Sequence, residues 1–160
     1  MNKLKWCFKI RNGLKIVEPS EDISGSYIRY AEKTLSKIND LIDEEDFLWV
    51  SIRIYYCAYY SLYSFLQKIG IKSGNHDCSI ELVKELIKED FIGDISLFRQ
   101  DRIDAQYYLQ INQKKNLLNN YKKVKFFYLK FKEIVDSLNK DKAEKFITQT
   151  RKLKGINDEN

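Results

Sequence analysis

The sequence predicts an all-α helical bundle of about five to six helices, and three observations carry that expectation. One proline and six glycines interrupt 160 residues, too few breakers for a fold of many short strands. The stretch Phe47 to Leu66 is apolar nearly all round, as the central helix of a bundle must be. Leu117, Tyr121, Val124, Tyr128, Phe131, Val135 and Leu138 then recur in alternating steps of four and three residues, the a/d seam of a helix that packs on another.

Taken in order, residues 1–24 read as an irregular N-terminal arm, broken by Gly13, Pro19 and the polar run Glu21–Ser24, with Trp6, Cys7 and Phe8 docking as an apolar plug. Ser24 or Ser26 can cap a first helix reaching about Ile42. Its apolar positions Ile28, Ala31, Leu35, Ile38 and Leu41/Ile42 keep helical spacing. The acids Asp43–Asp46 make the turn and favour the next helix N-terminus. The second helix runs from about Asp46 to Ile69 and stops at Gly70. Lys72–Asn75 forms a loop, and Asp77 or Ser79 can cap a short third helix to about Lys88. A fourth helix covers roughly Ile92 to Leu109, the seam helix follows, and Asp141–Lys154 can form a short amphipathic helix. One domain over residues 25–155 and a frayed tail at 156–160 complete the expectation.

Composition is that of a soluble globular protein, 44% hydrophobic and 32% charged with a formal net charge of +5. The basic charge is unevenly spread. Seven lysines and no acid lie between Asp104 and Glu133. Lys115, Lys122, Lys123 and Lys130 lie opposite the apolar seam, where they could meet a phosphate backbone or the acids of a neighbouring helix. Cys7, Cys57 and Cys78 are odd in number and lack CxxC spacing, so reduced thiols and a cytoplasmic location are expected. The basic N-terminus has no apolar core of a secretory leader. Phe47–Leu66 carries Arg53, three serines and five tyrosines, so no membrane association is expected.

The candidate chemistry is sparse. On the fourth helix Arg99, Arg102 and Gln106 are three, four and seven residues apart and share one face. Two guanidiniums and an amide can hold a phosphate or carboxylate. The plainer alternative is that the arginines pair with Asp43–Asp46 or Asp101 and lace the bundle. His76, the only histidine, can act as base or ligand, or sit at the start of a helix bonded to Asp77. A zinc site from His76, Cys78, Cys7 and Cys57 matches no common module, so no metal is expected. The tyrosines at 55, 56, 59, 60 and 63 can stack bases, but core packing is the preferred reading. No phosphate loop, HExxH, GxSxG or carboxylate pair is present, and no cofactor is expected.

Four stretches together resemble the HEPN superfamily, in particular its small stand-alone prokaryotic members. They are Tyr27-Ile-Arg-Tyr-Ala-Glu-Lys33, Tyr55-Tyr-Cys-Ala-Tyr-Tyr-Ser-Leu-Tyr63, Lys68-Ile-Gly-Ile-Lys-Ser-Gly-Asn-His-Asp-Cys78 and Arg102-Ile-Asp-Ala-Gln-Tyr-Tyr108. The resemblance implies an up-and-down bundle, commonly dimeric, with a role among nucleic acids or nucleotides. Some such proteins are metal-independent ribonuclease toxins, others partner minimal nucleotidyltransferases, and others bind nucleotides without catalysis. In the ribonuclease branch an Arg is followed after four to six residues by a His. Arg102 matches the Arg, whereas Tyr107 and Tyr108 stand where the His is expected. A free phenol, with a pKa of about 10, is a poor base near neutral pH. Tyr107 also lies about 140° round the helix from Arg102.

The preferred expectation is therefore a non-catalytic binding or partner protein, possible companion of a nucleotidyltransferase in a toxin–antitoxin-like pair. Its polar locus would be Arg99, Arg102, Gln106 and Tyr107, its ligand RNA or a nucleotide. One alternative is an endoribonuclease using Arg102 with His76 or a tyrosine such as Tyr107 as base. Another is a structural homodimer. A homodimer is expected on the aromatic excess and the resemblance, through helices bearing Arg102 or Tyr55–Tyr63.

Overall fold

The computed structural model describes residues 2–155. The first elements are α1 (Lys3–Cys7), β1 (Leu14–Ile16), α2 (Glu21–Ser36), α3 (Ile38–Asp43) and α4 (Phe47–Ile69). They are followed by β2 (Ile71–Ser73), α5 (His76–Leu86), a 3-10 turn (Asp90–Gly93), α6 (Asp94–Tyr108), α7 (Lys114–Asp136) and α8 (Lys140–Lys154). The fold is all-α apart from one antiparallel pair, Leu14 opposite Ser73 and Ile16 opposite Ile71. Among the described residues no helix is long and apolar enough to cross a membrane. The expected frayed tail lies outside the described residues.

Helix α4 is the axis on which α2, α6 and α7 pack. Leu62, Phe65 and Leu66 are wholly buried and Tyr59 nearly so. The apolar seam of α7 packs inward: Leu117, Val124, Tyr128, Phe131, Val135 and Leu138 are buried, which decides between core and partner surface for that stripe. Phe65 meets Phe131 of α7 at 6.3 Å between ring centres and Phe146 of α8 at 5.1 Å, joining three helices at one ring.

Four expectations about the first 80 residues are corrected. The arm is not irregular, since it holds α1, β1 and the first turn of α2. The cap of α2 is Ser20, whose Oγ accepts from Ile23 N at 3.1 Å. Ser24 instead turns inward, and Ser24 and Ser64 each donate to the other's carbonyl at 2.8 Å. That exchange lets α2 lie close to α4, and it takes Ser24 out of contention as a cap. The first helix also breaks at Lys37 rather than running through to Ile42. Finally, α5 is capped by Asn75, whose Oδ1 accepts from Cys78 N at 3.0 Å.

The connection between α4 and α5 positions the candidate site. Gly70 ends α4 in the left-handed region at φ +83°, and a Cβ there would come within 2.5 Å of Val17 O. Only glycine meets both conditions. The turn sends β2 back along β1. Tyr63 Oη of α4 then clamps Ser73, donating to its carbonyl at 3.0 Å and accepting from its N–H at 3.1 Å. Gly74 N donates to Asn12 O. His76 therefore starts α5 at a place set by α4 and the arm together.

The expectation of reduced thiols is also corrected: Cys7 and Cys78, 71 residues apart, form a disulfide. Packing of α1 against α5 brings them together, a proximity that spacing in sequence cannot show. Cys57 stays free and buried, and burial pushes its thiol pKa up. Unfolded without reductant, the chain should present one reactive thiol to a thiol-modifying reagent, that of Cys57. Three would show the pair unformed. Closing a loop of this length should stabilise the fold by about 4 kcal/mol in the chain-entropy picture.

Candidate functional site

Helices α4, α5 and α6 meet where Tyr55, His76 and Arg102 come together. Tyr55 is fully buried on α4. Its hydroxyl lies 2.7 Å from His76 Nδ1, and the Arg102 guanidinium lies over its ring at 4.7 Å from the centroid. The same guanidinium lies 5.8 Å from the Tyr56 centroid. The imidazole stacks on Tyr59 with centres 3.9 Å apart and planes 21° from parallel. A buried phenol thus bridges a guanidinium and an imidazole that are remote in sequence.

The two arginines of α6 have different partners. Arg99 pairs with Asp77: Nε lies 3.2 Å from Oδ1 without an aligned hydrogen bond, and Nη2 donates to Oδ2 at 3.3 Å. Asp101 takes Asn120 instead, through an amide hydrogen bond at 2.9 Å. The lacing alternative therefore holds for Arg99, through Asp77 rather than the acids expected. Arg102 has no carboxylate within ion-pair distance among the described residues. Among the described residues its one hydrogen bond is a long one, Nη1 donating to Gln106 Oε1 at 3.3 Å, and its buried Nε has no partner there. Aromatic faces, not an acid, hold this cation in place.

The family model for the HEPN domain matches residues 25–156. The chain belongs to the HEPN family. No curated protein and no solved structure matches it. HEPN membership is consistent with a nucleic-acid-associated function.

Within this HEPN domain the candidate residues sort clearly. Arg102 and His76 meet at Tyr55, and Gln106 touches Arg102. Arg99 reaches the cluster through Asp77, the residue that follows His76. Tyr107 and Tyr108 stand apart, 66% and 68% exposed at the end of α6. Among the described residues no group of three or more His, Cys, Asp or Glu side chains is arranged to hold a metal ion. Cys7 and Cys78, two of the candidate zinc sulfurs, are bonded to each other. The basic strip of α7 is partly neutralised, with Lys123 at 3.9 Å from Asp94 and Lys130 at 3.5 Å from Glu89.

Burial, the charge of Arg102 and then that of Arg99 lower the His76 pKa below its ordinary 6.5, against an opposing pull from Asp77. The imidazole is therefore neutral at neutral pH. Burial likewise pushes the Tyr55 hydroxyl up to about 12, with the arginines pulling the other way, so the phenol keeps its proton. Which ring nitrogen of His76 carries the hydrogen decides its capacity. With the proton on Nδ1, donated to Tyr55 Oη, Nε2 has a free lone pair; in the other tautomer Tyr55 donates.

A lowered histidine pKa means that the unfolded chain binds this proton more readily than the folded one. The stability His76 contributes is full above pH 6.5 and falls as the pH drops below it. Urea midpoints at about pH 7.5 and about pH 5.5 should therefore differ more for the wild type than for His76→Gln. Equal differences in the two proteins would refute this.

Tyr55 and Asp77 are the site residues that sequence reasoning missed. The core reading of Tyr55 fits its ring, which is buried, but its hydroxyl reaches the site. The adjacency His76-Asp77 was visible; that Asp77 turns to Arg99 was not.

Proposed function

We propose that this HEPN domain binds a phosphate of RNA or of a nucleotide at Arg102 and does not cleave it at an appreciable rate. The observation that carries the reading is the state of Arg102. It is a guanidinium held by aromatic rings, and among the described residues no carboxylate lies within ion-pair distance to neutralise it. Such a group offers its planar donor fork to a phosphate and needs no proton exchange to do so. Gln106 adds an amide beside it, and Arg99 a second positive charge. A nucleotidyltransferase partner remains part of this proposal, supported by the family rather than by any contact.

One observation favours a second reading, endoribonuclease activity: a neutral imidazole stands on the same phenol as Arg102. In that reading His76 Nε2 takes the proton of the 2′-hydroxyl and Arg102 stabilises the charge on the phosphate. Incubating the full chain with single-stranded RNA in chelator separates the two. Binding without product is expected. Chelator-resistant cleavage lost in both Arg102→Ala and His76→Ala would establish the second reading, and cleavage that survives His76→Ala would leave a tyrosine as base. Neither binding nor cleavage would reduce the arginines to bundle lacing.

A further inference from the structure

A recess of about 420 Å³ opens where the end of α4, the residues just before α2, the α7–α8 turn and α8 converge. Tyr55, His76 and Arg102 take no part in it. Its floor is apolar, made by Pro19, Ile69, Leu138, Ala143 and Ile147, of which Ile69, Leu138 and Ile147 are themselves buried. Ala143, one turn before Ile147 on α8, leaves room that a larger side chain would take. The walls are fixed by hydrogen bonds. Val17 N donates to Gly70 O at 2.8 Å and Ser20 N to Gln67 O at 3.1 Å, which pins the intervening Pro19 to the end of α4. Opposite, Leu138 N donates to Val135 O at 3.2 Å, and Asn139 Oδ1 caps α8 by accepting from Lys142 N at 2.9 Å. A recess with fixed walls loses little freedom when it is filled.

Four charged side chains line the same recess, and they are not equivalent. Glu21, Lys140 and Glu144 are exposed, whereas Lys68 is half-buried. Glu144 is paired with Arg151 at 3.3 Å. The Lys68 ammonium donates to Val135 O at 2.8 Å, a carbonyl that holds it in place without cancelling its charge. Among the described residues neither Lys68 nor Lys140 has a carboxylate within ion-pair distance. A half-buried charge is screened less than exposed ones, so Lys68 outweighs the acids of the rim.

We propose that this recess binds a small amphiphilic carboxylate, its hydrocarbon body on the apolar floor and its head group on Lys68, with Lys140 at the rim. The proposal does not depend on the phosphate reading of Arg102. An apolar recess with a few placed polar groups is the usual form of a small-molecule site, and such sites span about 300–1,000 Å³. This one lies near the lower end, which suits a chain of medium length. An ammonium is a point charge above the floor. It matches a singly charged head on a hydrocarbon body, and it lacks the planar donor fork that favours a phosphate. No aromatic side chain lines the recess, so a nucleobase finds no stacking face there.

The test is equilibrium titration of the full chain with octanoate, octanol and octylamine, which share a chain and differ in the charge of the head. One octanoate should bind per chain, about tenfold more tightly than octanol, the worth of one charge-assisted contact. Octylamine should bind most weakly. Octylamine binding most tightly would give the recess to the rim acids, and equal binding of all three would leave the ammonium without a role; either overturns the proposal. Lys68→Met keeps the apolar stem and removes the charge. It should bring octanoate down to the affinity of octanol and leave octanol unchanged, which also shows that the recess is intact. Lys68→Arg keeps the charge and should keep the preference for octanoate. Ala143→Phe fills the recess and should weaken octanoate and octanol alike by about tenfold or more, with Ala143→Leu, a smaller intrusion, in between. Octanoate affinity unchanged in Lys68→Met, binding undiminished in both Ala143 variants, or several octanoates taken up per chain regardless of variant would show adsorption elsewhere and sink the site. No binding of octanoate to the wild type would do the same.

Discussion

Phe65→Ala should cost about 3–5 kcal/mol of folding stability. The ring is fully buried and touches Phe131 of α7 and Phe146 of α8. Removing it takes away the transfer energy of a large side chain and leaves a cavity where three helices converge. None of them can close in without disturbing its packing elsewhere. Against a total of about 5–15 kcal/mol for a domain, that is a large part of the whole. In urea titrations the midpoint should drop sharply with little change in slope. Leu129→Ala, on the half-exposed face of α7, should stay within about 0.5 kcal/mol of wild type. A loss below about 1 kcal/mol for Phe65→Ala would mean that α4, α7 and α8 do not meet as described.

Arg102→Ala should weaken nucleotide and RNA binding about ten- to a hundredfold, the loss of charge-assisted hydrogen bonds at about 1.5–3 kcal/mol. Among the described residues no acid within ion-pair distance is left uncompensated by the change, so the fold should tolerate it. Arg102→Lys keeps the charge but gives up the planar fork and its seat over Tyr55, and should fall between wild type and Arg102→Ala. Lys122→Ala on the exposed side of α7 should act mainly by lowering the salt dependence of binding. Calorimetric titration reads all three. Unchanged affinity in Arg102→Ala would end the phosphate reading.

The helical architecture was legible because burial leaves a periodic trace. The seam from Leu117 to Leu138 and the apolar circumference of α4 each identify a packed helix without reference to anything distant. Helix starts were less legible, since Ser20, Ser24 and Ser26 have the same capping chemistry and only the approach of Ser64 decides among them. The β1–β2 pair escaped notice because three-residue strands are too short to show alternation. For the site, Arg99, Arg102 and Gln106 could be placed on one face from spacing alone. Their meeting with His76 could not, because it depends on the path from Gly70 through Ser73 to Asn75. The Cys7–Cys78 bond is invisible for the same reason: its partners are local only once the arm has docked.

That bond also determines how the molecule responds to load. Pulled by its ends, the oxidised chain carries tension along residues 1–7, across the sulfur bridge, and on from Cys78. The segment between the two cysteines, with α2, α3 and all of α4, hangs off the force line as a closed ring. Its 71 residue steps, roughly 240 Å of contour at full extension, are released only after reduction. In a hauled or translocated chain, the central helix would be the part that tension never reaches directly.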